Sequence, residues 1–139
     1  MSEHDVTLSY GRATPRVLPD VAAVDQALDE LAQEAEAAEW PRVVSLSRGE
    51  HVLEILVGRT DLSLLVWYVG FDEIACSRGT VEQPADLAFD YGGHRTDAYT
   101  DASVPVEVAR EAVREFVRDD ARPTAVEWQI PHFAESAAD

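Results

Sequence analysis

The chain has 139 residues, 46% of them apolar and 27% charged, which is the composition of a folded globular protein. A chain of this length buries roughly 68–70% of the surface that its unfolded form exposes, so a real hydrophobic core is available. Its 27 acidic and 11 basic side chains give a formal net charge of −16. That surplus repels nucleic acid, nucleotides and anionic lipid and attracts basic partners through a long-range field, which argues against a direct nucleic-acid binder.

Cys76 is the single cysteine, so the chain forms no internal disulfide and supplies no cysteine-based zinc site. A reducing cytoplasm is the expected compartment. The opening residues Met1 to Asp5 have no basic region followed by an apolar stretch, and no segment approaches the roughly 18 apolar residues that span a bilayer.

Val6 to Tyr10 alternate weakly before Gly11 and read as a short strand, with Arg16 to Leu18 as its returning partner. A helix follows from Pro19-Asp20, where Asp20 is placed to cap free backbone N–H groups. Val21, Val24, Leu28 and Leu31 form its apolar stripe. Its other face carries Asp25, Asp29, Glu30, Glu34 and Glu36 with no basic residue on the same helix, so it is expected to present uncompensated negative charge until Trp40-Pro41 ends it.

From Pro41 to Tyr99 the period shifts to that of strands: Arg42–Leu46, Val52–Val57, Leu62–Val69 and Ile74–Ser77, parted by Arg48-Gly49, Gly58-Arg59 and Gly70-Phe71. Leu62–Val69 is almost wholly apolar, as for a central strand covered on both faces. Leu87–Tyr91 and His94–Tyr99 flank Gly92-Gly93, a pair suited to a tight hairpin and too short for a phosphate loop. A second helix is expected from Ser103-Val104-Pro105, burying Val106, Ala109, Val113, Phe116 and Val117. After Arg122-Pro123, Thr124 to Ile130 alternates, with Val126, Trp128 and Ile130 on one face and Glu127 and Gln129 on the other. A last strand, with Trp128 in the core, is the expectation. The fold class is therefore α+β: an antiparallel sheet of about six to eight strands with two helices on one face, forming a single domain over residues 1–131 and a frayed tail over 132–139.

Chemistry-bearing patterns are scarce. His4, His51, His94 and His132 lie in separate segments without metal-ligand spacing, so no metal and no cofactor are expected. Cys76 and Ser77 lack a nucleophile signature, and a small buried thiol is the commoner role of a strand cysteine. Glu82, Asp86 and Asp90 offer carboxylates that would pair with Glu54 or Glu127 in a small hydrolase, but among 27 acidic residues this says little. Trp67, Tyr68, Tyr91 and Trp128 are candidate contact aromatics; for Tyr91, beside a turn, contact and structural roles weigh equally.

Three stretches carry a resemblance: Leu65-Val66-Trp67-Tyr68-Val69-Gly70, Ala88-Phe89-Asp90-Tyr91-Gly92-Gly93, and above all Val106–Phe116 leading into Arg122-Pro123-Thr124-Ala125-Val126-Glu127-Trp128-Gln129. With the order of elements, they resemble the first-numbered family of Imm immunity proteins from bacterial polymorphic toxin systems, over Val6 to Gln129. The resemblance implies a non-enzymatic inhibitor paired one-to-one with a cognate toxin, frequently one of nucleic-acid deaminase fold. Such a toxin needs a basic substrate channel, which an acidic protein would plug. The candidate toxin-binding residues are Glu30, Glu34, Glu82, Asp86, Asp90, Tyr91, Glu127 and Trp128. An acidic adaptor for another basic protein is the remaining alternative.

Overall fold

The computed structural model describes residues 5–11, 13–91 and 93–132. Nine strands and two helices follow one another as β1 (Val6–Ser9), β2 (Arg16–Leu18), α1 (Val21–Ala37), β3 (Arg42–Arg48), β4 (His51–Val57), β5 (Leu65–Val69), β6 (Glu73–Ser77), β7 (Ala88–Tyr91), β8 (His94–Asp97), α2 (Val106–Asp119) and β9 (Trp128–Gln129). The expected α+β class is observed. The sheet order is β2-β1-β3-β4-β5-β6-β9, antiparallel throughout, with the β7–β8 hairpin attached to β3 by one parallel pair, Arg42 with Asp90.

Both helices pack on the same face. α1 begins where expected: Asp20 is extended, and its carboxylate accepts from Ala23 N–H at 2.9 Å. Val24, Ala27, Leu28, Leu31 and Ala35 of α1 join Ala109, Ala112, Val113, Phe116 and Val117 of α2 over Leu8, Leu46, Leu53 and Trp67 of the sheet. Close approach of α1 to the end of β4 is permitted by Gly58, where a Cβ would stand 2.7 Å from that of Ala35 and φ is +106°. The last turn of α2 is tied to the β3–β4 connection. Arg48 Nη1 donates to Val117 O at 2.8 Å, a favourable place for a cation at a helix C-terminus, and His51 meets Asp120 at 2.9 Å.

The opposite face is covered by no helix. Val43, Leu56, Leu64, Val66 and Cys76 are buried there beneath Leu87, Phe89, Ala98 and Ala102, which belong to the 78–104 segment and its hairpin. Gln83 fastens this segment, its carbonyl oxygen accepting from Ala102 N, Ser103 N and Ser103 Oγ while its amide donates to Tyr99 O. β5 is thus covered on both faces, but it begins at Leu65; Ser63 instead forms an isolated bridge with Val104. In the β7–β8 hairpin Tyr91 faces His94 as expected, with Gly93 at φ +95°; Gly92 lies outside the described residues.

The expected strand over Thr124–Ile130 shrinks to Trp128–Gln129. Glu115 of α2 takes the backbone and hydroxyl of Thr124, at 2.7 and 3.1 Å, and Trp128 Nε1 donates to Pro123 O at 2.8 Å. These bonds curl residues 123–127 back over the end of α2. Val126 is buried, Trp128 is only half-buried at the edge of the core, and Ile130 is 83% exposed, so the expected apolar face of that strand is not realised. Of the expected tail, only His132 is described, and its carbonyl accepts from Thr100 N–H at 2.7 Å; residues 133–139 lie outside.

Phe116 is fully buried and stands edge-on to Trp67, ring centroids 5.7 Å apart. Phe116→Ala is expected to cost about 3–5 kcal/mol in urea denaturation. Trp128→Ala is expected to cost clearly less, because much of that ring is already in water.

Candidate functional site

Three of the expected acidic features change character once α2 is in place. Asp29 meets Arg110 at 2.6 Å, and Asp25 meets Arg114 at 3.1 Å and Arg110 at 3.7 Å. Arg110 and Arg114 come from α2, more than 80 residues along the chain, which is why the helix alone looked uncompensated. That expectation is corrected: only the outer part of the face, with Glu30, Glu34 and Glu36, stays exposed. Glu30 and Glu34 line a groove against β1 and β2, with Tyr10, Arg16 and Leu31.

Glu82 and Asp86 are exposed on the 78–87 connection. Asp86 borders a groove of about 490 Å³ that also takes in Gln83, Arg95, Asp97 and Asp101. Asp90 is half-buried and turned toward its own hairpin, its carboxylate accepting from Gly93 N–H at 2.9 Å. Tyr91 is 45% exposed and donates its hydroxyl to Glu54 Oε2 at 2.7 Å. Glu127 is exposed, with its backbone carbonyl held by Arg78 N–H at 2.8 Å. The eight candidates therefore occupy three regions: the groove beside the β2 edge, the β7 side of the second face, and the β9 edge. Glu30 and Glu34 lie at one end of the strand order and Glu127 and Trp128 at the other.

Glu54 is the carboxylate whose setting the sequence did not disclose. It is 4% exposed, in mid-sheet on the face away from the helices. Ser45 from the neighbouring strand donates at 2.9 Å, Tyr91 from the hairpin at 2.7 Å, and Tyr68 from β5 is also hydrogen-bonded to it. Burial pushes the Tyr68 and Tyr91 phenols well above their usual range, and the adjacent Glu54 carboxylate pushes them further the same way. Tyr99 is raised as well, first by burial. Cys76, on the same face, is pushed up to about 11 by burial. With Ser45 and three tyrosines around it, this carboxylate is fully engaged as a hydrogen-bond acceptor.

Among the described residues no group of three or more His, Cys, Asp or Glu is placed to hold a metal ion. No helix is long and apolar enough to cross a membrane. The sequence profile described as Immunity protein Imm1 matches residues 12–130. The chain belongs to the Imm1 immunity protein family. It is thus a toxin inhibitor rather than an enzyme, and its partner is a cognate toxin. No curated protein matches the chain. The Imm1 match takes in both helices and all the strands from β2 to β9, while β1 lies before it.

The raised tyrosines give a pH signature. Above about pH 10 the unfolded chain releases phenolic protons that the folded chain retains on Tyr68 and Tyr91, so stability is full below that pH and falls as pH rises through the folded values. Urea midpoints are expected to drop steeply on the alkaline side, and less steeply in Tyr91→Phe. An equal slope in the variant would show that Tyr91 is not held neutral by its surroundings.

Proposed function

We propose that this Imm1 protein neutralises a nucleic-acid deaminase toxin by binding it one-to-one in the cytoplasm and occluding its basic substrate channel. The observation that carries the reading is the net charge of −16 on a fold whose acidic side chains at Glu30, Glu34, Glu82, Asp86 and Glu127 stay exposed. A deaminase must attract a polyanion, and the same basic surface attracts this chain. A buried free thiol at Cys76 suits a reducing compartment. Residues 1–131 act in this reading as one domain.

The candidate residues divide by role. Glu30, Glu34, Glu82, Asp86 and Glu127, all exposed, steer the encounter and set specificity more than affinity. Asp90 shapes the hairpin that presents Tyr91, and Tyr91 is a contact residue whose ring is already held by Glu54. Trp128 supports the Arg-Pro turn that positions Glu127. A carboxylate-dependent hydrolase is a poor reading of the same residues, since Glu54 is sealed among hydroxyl donors while Glu82 and Asp86 stand in open water.

The test uses the purified toxin domain encoded beside this protein. Association is expected to slow markedly between low salt and about 0.15 M, where the Debye length is about 8 Å, while dissociation changes little. Single-stranded nucleic-acid substrate is expected to compete with the inhibitor. A ternary complex of toxin, substrate and inhibitor would sink occlusion, and a salt-independent association rate would sink steering.

A further inference from the structure

The registers of six neighbouring strands align one residue from each into a single transverse row on the face away from the helices. It runs Val17, Thr7, Ser47, Val52, Tyr68, Ile74. At about 4.8 Å between strands, it extends roughly 24 Å across the sheet. On the helix side, the neighbouring row Leu8, Leu46, Leu53, Trp67, Ala75 is buried throughout. The outer row is not: Val17 is 62% and Ile74 45% exposed, and Thr7, Ser47, Val52 and Tyr68 are half-buried.

None of the six residues is charged, in a chain with 27 acidic and 11 basic side chains. Interface centres are depleted in charge and enriched in tyrosine, whereas a merely solvated face of so acidic a chain would be expected to carry carboxylates. Acids stand instead at the rim. The β3–β4 and β5–β6 turns, laced together by Gly70 N–H to Glu50 O at 3.0 Å, place exposed Glu50 and Asp72 beside a fully exposed Phe71. On the other side of the row Tyr91 and Tyr68 are fixed by the buried Glu54, so little side-chain freedom is lost when a partner settles on them.

We infer that this uncharged row, rimmed by Glu50 and Asp72, is the docking surface for the cognate toxin, which meets it with an apolar patch ringed by lysine or arginine. The inference rests on the toxin-inhibitor reading above and shifts the affinity-bearing surface from the acidic helix α1 to the opposite side of the sheet. A second copy of the chain is the wrong occupant on charge: it would bring the same acidic rim and a further −16.

The experiment compares Ser47→Arg and Val52→Arg, each in the row, with the double variant Glu30→Arg and Glu34→Arg on α1, against the purified toxin domain. Each row variant is expected to weaken binding about 100-fold through faster dissociation, at an unchanged melting temperature. The helix variant is expected to lose less than about 10-fold, through association. Two row positions are used so that the test survives if one variant fails to fold. Row variants that bind as tightly as the native chain overturn the docking surface while leaving toxin inhibition standing. Native chain that fails to bind the toxin overturns toxin inhibition and the docking surface together, a failure visible without any substitution. A native dimer in sedimentation equilibrium that Ser47→Arg dissociates overturns the assignment by giving the row to a second copy.

Discussion

A sheet has two faces to keep from water, and both helices of this chain lie on one of them. The long connections decide this: α1 bridges β2 to β3 and α2 bridges β8 to β9, and their apolar stripes meet over the same rows of the sheet. Everything on the opposite face follows from that choice. It must be sealed by irregular chain, and the 78–104 segment is long enough to seal only part of it. Irregular chain does not satisfy its own backbone groups, so side chains do it instead. Gln83 serves three donors of Ala102 and Ser103, and Ser77 Oγ accepts from Leu65 N–H and donates to Ala102 O.

Glu54 belongs to the same economy of cover. A buried carboxylate is tolerable only when donors surround it, and here they come from three strands: Ser45, Tyr68 and Tyr91. The Tyr91 bond fixes the β7–β8 hairpin to the sheet, which its single parallel backbone pair with β3 would hold weakly. Beyond this boundary the sheet face is open. The transition from sealed to open thus falls between two adjacent rows, one holding Glu54 and Val66 and the next Val52 and Tyr68.

Local signals were legible in the sequence wherever a local cause was sufficient. The Asp20 cap, the Val24, Leu28, Leu31 stripe, the strand periods and the Gly-Gly hairpin each depend on residues a few positions apart, and each was recovered in position. Long-range compensation was not legible. The acidic face of α1 is partly neutralised by Arg110 and Arg114, and nothing in residues 21–37 announces this. Thr124 to Ile130 alternates as a strand would, yet Glu115 and Pro123 draw it into a curl, because bonds made to α2 outweigh a pattern that has room to pair only at Cys76 and Ser77. At the candidate site, the residue types were visible and their grouping was not. Glu54 looked like one acid among many, and the uncharged row exists only once six strands are set in register.

The lone thiol gives this arrangement its own clock. Cys76 is wholly enclosed, and burial holds its proton to about pH 11, so the reactive thiolate is both scarce and out of reach while the cover of the second face is closed. An alkylating reagent can reach it only during excursions in which that cover, or the short β9 pairing beside it, lifts away. The rate at which this single sulfur is consumed under native conditions is therefore a direct reading of how often the irregular half of the molecule lets go of the sheet.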